Sequence, residues 1–493
     1  MTEVNQRIAV GAAWMVLFKL VDRSVGLIST IVLARLLVPS DFGLVALAAA
    51  LIGAAELLGA FSFDVTLIHR VDTTRSHFDT AWSLNILFGA ACAILLALVA
   101  APAASFYGDP RLAWIILVLG SGLLVQPFEN VGVVAFRKDL AFEREFAYLL
   151  AKRLLSFAVT LSLAFWLKSY WALVAGTLTG RFFGVGLSYI VHPYRPRFSL
   201  SAAPDLLHFS KWLAATNVIL FFGQRIPDFI IGKVAGPHAL GLYSVSYEIS
   251  NLPTTEIVAP INRAVFPGYA KIHLDRDILR RSFLKVLGMI ATLAVPAAAG
   301  MVAISDLLVP VVLGPKWLEA VPFVKVLALY GGLQAIQTNI GPLLLAQGKA
   351  RVVTVLTATH LTVLVCLLAV LIPVHGANGA AWSVLLTLVL MTPVNCLVAV
   401  RSLEMRLNDL GSVFVRPLIA GVGMYFVVDL VKNSMSLPAF AKLMTCVVLG
   451  VVVYSFALVA AWGLQGKPAG PESYLWRTAR IWLASNVLWR RGG

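Results

Sequence analysis

Long apolar runs, separated by short polar turns, follow one another along almost the whole chain. A helix that crosses a bilayer needs roughly 20 mostly apolar residues, and about fourteen stretches meet that length. They lie at 9–34, 42–65, 78–102, 112–136, 147–167, 169–191, 207–232, 239–264, 282–303, 321–346, 352–373, 377–399, 412–431 and 442–463. The pattern predicts an all-α integral membrane protein with about 14 transmembrane helices. The first run is full length and lacks a small-residue cleavage site, so the sequence predicts no removable signal peptide.

An internal echo divides these helices. "ARLLVPSDFGLVALA" (34–48) and "GKVAGPHALGLYSVS" (232–246) match at Pro39 and Pro237, Gly43 and Gly241, and Leu44 and Leu242. Both copies fall between a first and a second helix, six spans apart. An even number of spans keeps them in the same orientation, which predicts two parallel six-helix lobes plus two C-terminal helices. The expected boundaries are 1–200 and 201–402 for the lobes, 403–465 for the last two helices and 466–493 for a tail. In that tail, Trp476, Ile481, Trp482 and Trp489 interleave with Arg477, Arg480, Arg490 and Arg491, the pattern of an interfacial helix on an anionic leaflet.

Of 493 residues, 59% are hydrophobic and 13% charged, which excludes a soluble protein. The formal net charge of +15 is unevenly placed. With the amino terminus inside, Arg70, Arg75, Arg137, Lys138, Arg195, Arg280 and Arg281 fall in connections on the same side, and few cations fall on the other. This is the positive-inside pattern; it predicts both termini in the cytoplasm and removes the need for a nucleic-acid partner. The connections are too short for a soluble catalytic domain. Cys92, Cys366, Cys396 and Cys446 lack metal-type spacing and read as small core residues. His192, His208, His238 and His273 sit near span edges without a shared partner.

Charge inside spans is costly, about 2.5–3.5 kcal/mol per residue on the insertion scale, so such residues mark protein-lined or wet surfaces. Lys19, Asp22 and Arg23 stack on one face of the first helix. Glu56 lies in the second helix; Gln224, Arg225 and Asp228 lie in the seventh, with Pro227 beside them. Glu248, Asn251, Glu256 and Arg263 lie in the eighth, and Arg181 in the sixth. The first two helices of each lobe therefore carry most of the embedded charge, as expected for a cleft between lobes in an alternating-access transporter. Asp22 can also serve to neutralise Lys19 or Arg23, and Lys152 and Arg153 read as snorkelling anchors.

"LARLLVPSDFGLVALA" resembles the signature of bacterial polysaccharide flippases, a branch of the exporter superfamily that includes multidrug extruders and lipid II flippases. "SYWALVAGTLTGRFFG" (169–184), "LGLYSVSYEISNLP" (240–253), "VVLGPKWLEAVPFVKVLALYGGL" (311–333) and "GANGAAW" (376–382) resemble the same branch. The resemblance implies transfer of an undecaprenyl-pyrophosphate-linked oligosaccharide repeat unit to the periplasmic leaflet of the bacterial inner membrane, for exopolysaccharide or lipopolysaccharide synthesis. It also implies membrane lipids, a polysaccharide polymerase and a chain-length regulator as partners. Lys19, Arg23, Arg181, Arg225, Arg263, Asn251 and Gln224 are the candidate pyrophosphate and sugar contacts, because Lys and Arg suit a pyrophosphate. Asp22, Glu56, Asp228, Glu248 and Glu256 are the candidates for ion coupling. "GPLLLAQGKA" has the wrong spacing for a phosphate-binding loop, so neither ATP hydrolysis nor a cofactor is expected. The competing readings are a drug or cation antiporter of the same superfamily, a membrane polymerase or ligase, and a scaffold for the assembly machinery.

Overall fold

The computed structural model describes residues 2–59, 63–69 and 73–464, and leaves some side chains within its helices, including that of Arg263, undescribed. The predicted tail helix at 466–493 lies outside the described residues. Among those described, every regular element is helical.

The chain divides into two compact units, Met1–Ser244 and Val245–Gly493. In the first, α1 (Thr2–Leu36) packs on α7 (Phe142–Leu167), which packs on α8 (Trp171–Val191). Beside them lie α2 (Pro39–Glu56), α3 (Phe63–His69), α4 (Arg75–Tyr107), α5 (Arg111–Val125), α6 (Val134–Lys138) and α9 (Ala203–Val234). α10 (Gly236–Ser250) begins in the first unit and ends in the second. The second continues with α11 (Ala259–Ile272), α12 (Arg276–Val312), α13 (Val321–Gln337), α14 (Ile340–Ala346), α15 (Ala350–Leu403), α16 (Leu407–Ser434) and α17 (Ala439–Leu464). Here α12 is the central post, packed against α13, α16 and α17.

Local chemistry sets the helix limits. Pro39 at the first helical position of α2 sacrifices no internal hydrogen bond, and the Asp41 carboxylate accepts the Val38 N–H at 3.3 Å. Gly108 closes α4 in the left-handed conformation at φ 75°. The 54 residues of α15 would extend about 80 Å if straight, far more than a bilayer needs. Gly376, at φ 57° and ψ −140°, breaks it into the two helices predicted around "GANGAAW". A β-carbon on Gly379 would lie 2.2 Å from the Leu371 carbonyl oxygen, so the turn needs both glycines.

Ten described helices or helix pairs are long and apolar enough to cross a membrane. Four predicted spans are not single helices. The second passes from α2 into a 3-10 turn at Leu57–Gly59, followed by α3. The fourth ends α5 at Val125 and resumes, through 3-10 turns and Glu129–Asn130, as α6. The eighth contains a π-helical turn at Thr254–Val258 after Pro253, and the tenth breaks at Thr338–Asn339. Outward faces are apolar, as lipid requires: Val448, Val451, Val452 and Phe456 of α17 are exposed, while Leu443, Cys446 and Tyr454 point into the core. The cysteines are all free, but only Cys92 and Cys446 are buried. Cys366 is exposed on α15, so its expected core role does not hold; a thiol on a lipid-facing surface carries little desolvation cost.

Candidate functional site

The predicted charges of the first unit are tied across helices. Asp22 Oδ1 on α1 lies 2.8 Å from Arg153 Nε on α7. The Glu129 carboxylate accepts from Lys152 Nζ at 3.1 Å and from the Tyr148 hydroxyl at 2.6 Å. Lys152 and Arg153 are therefore each held by a carboxylate while remaining half-buried. Arg181 reaches Glu56 Oε1 at 3.3 Å and donates to the Leu119 carbonyl at 3.2 Å. On α9, Arg225 donates to Asp228 at 3.0 Å; Asp228 is buried, while the Arg225 side chain remains 46% exposed. Lys19 and Gln224 are exposed, and Arg23 is half-buried.

In the second unit, Asn251 is buried and donates to the Tyr247 carbonyl at 3.2 Å, Glu248 is half-buried and Glu256 exposed. The same unit also carries a set of paired amides and hydroxyls. Thr254 donates to the Gly331 carbonyl at 2.8 Å, and Asn262 to the Thr338 hydroxyl at 2.8 Å. Gln337 donates to Thr392 and accepts from Asn395. The π-helical turn lies among these groups, a distortion frequent at functional sites.

The two broken spans of the first unit frame a cavity of about 500 Å3. Glu56, Phe63 and Asp64 line it from one span; Gln126, Glu129 and Asn130 line it from the other. Asn85 and Phe88 of α4, and Glu145 and Tyr148 of α7, complete the wall. Interrupted helices at membrane depth are tolerated where they are buried in protein or line a cavity. Arg137 bridges Asp64 at 3.5 Å and Glu145 through Oε1.

Below the cavity, Asn130 fixes the extended segment that follows α8. Its amide donates to the carbonyls of His192 (3.2 Å) and Tyr194 (2.7 Å), and its oxygen accepts the Gly132 N–H (2.9 Å). The segment is then fastened to one face of α4. Asp79 accepts from the Tyr194 hydroxyl and the Arg197 N–H, Ser83 from the Ser199 N–H, and Thr80 from the Ala202 N–H. Burial and the Asp79 carboxylate raise the Tyr194 phenol above its usual range, and burial lowers the His192 imidazole.

Asn85, Gln126, Glu129, Asn130 and Glu145 were not among the sequence candidates. Two signals point to Gln126, Glu129 and Asn130, and none to Asn85 or Glu145: the polar "QPFEN" inside an otherwise apolar run, and, for Asn130, a second echo. "NVG" at 130–132 matches "NIG" at 339–341, and both asparagines are buried at the break of the fourth span of their half.

The family model for "Polysaccharide biosynthesis protein" matches residues 32–322. The chain belongs to that family. Among curated relatives of this polysaccharide biosynthesis protein, the lipopolysaccharide biosynthesis protein WzxC of Escherichia coli K12 is 28% identical over 352 residues, covering 69% of this chain and 70% of the relative. The teichuronic acid biosynthesis protein TuaB of Bacillus subtilis is 26% identical over 415 residues, covering 83% and 86%. In fold, the chain is similar to the lipid II flippase MurJ in its inward closed conformation, with a TM-score of 0.71 over 90% of this chain and 98% of that one at 14% identity. An inward-facing multidrug transporter of the MATE family matches with a TM-score of 0.58 at 13% identity, covering 78% and 94%. The chain is thus an all-helical membrane protein of the polysaccharide biosynthesis family with the fold shared by these two solved structures.

Proposed function

We propose that the protein is a flippase for an undecaprenyl-pyrophosphate-linked oligosaccharide, moving the repeat unit from the cytoplasmic to the periplasmic leaflet of the bacterial inner membrane with both termini in the cytoplasm. The observation that supports this most is Arg225. It sits about 14 Å inside α9, with its side chain half exposed while buried Asp228 holds one nitrogen. A cation kept accessible at that depth is costly unless it serves a ligand. The guanidinium fork matches phosphate oxygens, and Lys19 and Arg23 of α1 supply further positive charge. Arg181, tied to Glu56, is a reserve cation released if that carboxylate takes up a proton or sodium ion. In the second unit, an apolar groove of about 670 Å3, bordered by Leu293, Met301, Val447, Val451 and Trp462, suits a stretch of isoprenoid chain.

The test is reconstitution of the full chain in vesicles carrying a labelled lipid-linked sugar, with and without an imposed proton or sodium gradient. The wild type should move label between leaflets, and Arg23→Ala and Arg225→Ala should each slow it at least tenfold. Unimpaired transfer by both folded variants would refute the cationic site. Absence of transfer by the wild type under every gradient would refute the flippase.

A further inference from the structure

The cavity of the first unit has a composition that a pyrophosphate does not explain. Four carboxylates, Glu56, Asp64, Glu129 and Glu145, line it, and each has a cationic partner: Arg181, Arg137, Lys152 and Arg137 again. The charges nearly cancel, so the cavity attracts neither a polyanion nor a bare cation strongly. What remains is hydrogen-bonding capacity. A carboxylate offers about four lone-pair sites, and one cationic partner uses only part of them. Glu145 makes this explicit: it is 2% exposed, its Oε1 meets Arg137, and its Oε2 has no partner.

Asn85 and Gln126 point the same way. Both are exposed, both line the cavity, and neither amide has a hydrogen-bond partner among the described residues. An amide both donates and accepts, whereas a carboxylate only accepts. Phe63 and Phe88 lie stacked beside them, centroids 6.2 Å apart at 28°, and add a flat apolar face. A nearly neutral cavity of about 500 Å3 with surplus acceptors, two free amides and an aromatic wall matches a polyhydroxylated ring, which has hydroxyl donors on its edge and C–H groups on its face.

We propose that this cavity is a glycan subsite, in which Asn85, Gln126 and Glu145 hydrogen-bond neutral sugar residues of the transported head group. The proposal rests on the flippase reading for its substrate and assigns sugar recognition to the first unit, apart from the cations of α1 and α9.

Two measurements on the full chain test it. In vesicles, transfer of the host's own lipid-linked repeat unit, extracted from cells lacking the polymerase, is compared with transfer of the same carrier bearing only its first sugar. Asn85→Ala and Gln126→Ala should each lower the ratio of the two rates about fivefold, the effect of one lost hydrogen bond. Thr177→Ala, outside the cavity, should leave the ratio unchanged. In detergent, the repeat-unit glycan freed from its lipid by mild acid should bind the wild type and bind each cavity variant about fivefold more weakly. Equal binding by folded variants, or an unchanged rate ratio, overturns the subsite. Saturable sodium binding that the variants lose, with glycan binding unaffected, also overturns it in favour of a cation site. Glycan binding without transfer leaves the subsite standing and removes the flippase reading.

Discussion

Gly43 and Gly241 each hold open a space that the other copy of their motif fills. A β-carbon on Gly43 would lie 1.7 Å from the Pro237 carbonyl oxygen, and one on Gly241 would lie 1.8 Å from that of Pro39. The echo found in the sequence is therefore a contact: the starts of α2 and α10 cross backbone to backbone, with proline opening each helix and glycine one turn on.

Alanine at either glycine should cost about 3 kcal/mol or more, because the clash is with main chain that no rotamer change can relieve. Gly43→Ala and Gly241→Ala should each lower the yield of folded protein and its melting temperature in detergent. Gly268 in α11 has open space around it, and Gly268→Ala should be neutral or stabilising by up to about 1 kcal/mol. Equal melting temperatures for all three variants would contradict the crossing.

Asn130→Asp is a near-isosteric change with a large expected effect. It removes both donors to the His192 and Tyr194 carbonyls and sets a negative charge against them. A loss of about 2–4 kcal/mol is expected. Limited proteolysis should then cut near residues 192–202, which the wild type resists; an unchanged digestion pattern would count against this anchoring role.

Acid should weaken the same region. Burial holds the His192 imidazole below its ordinary value, and its Nδ1 accepts the Tyr194 N–H at 3.1 Å. The unfolded chain therefore takes up this proton first as pH falls through about 6.5, and stability drops below that point, at most by about 1.4 kcal/mol per pH unit. His192→Asn keeps an acceptor and cannot titrate, so its melting temperature should fall less between pH 7 and 5 than that of the wild type.

In the second unit, Lys432 on α16 is 7% exposed and meets Asp306 on α12 at 3.0 Å, Asp429 at 2.9 Å and the Ala303 carbonyl at 2.8 Å. Lys432→Leu should destabilise by about 1–2 kcal/mol, less than a fully buried pair would, because both carboxylates remain partly hydrated. Asp306→Asn combined with Lys432→Leu should cost less than the sum of the two changes in thermal unfolding.

The apolar runs, the family resemblance and the first echo were legible in the sequence because hydropathy and turn residues are local properties. The breaks were less so. A hydropathy window averages over "QPFEN" and its apolar flanks, so Pro127 and Asn130 were absorbed into one continuous helix at 112–136. Asp22 shows a second limit: helical spacing offered Lys19 and Arg23 as neighbours, whereas Arg153, 131 positions away, requires the packing of α1 on α7. The eighth helix carried its own signal in Pro253 and Pro260, but sequence alone did not specify a π-helical turn.

Asn130 and Asn339 mark the same joint in both halves: each is buried, each stands two residues before a glycine, and each lies where the fourth span of its half breaks. Carboxylates and a guanidinium line the cavity beside the first, and tyrosine, threonine and amides stand beside the second. One backbone joint thus serves two different chemistries.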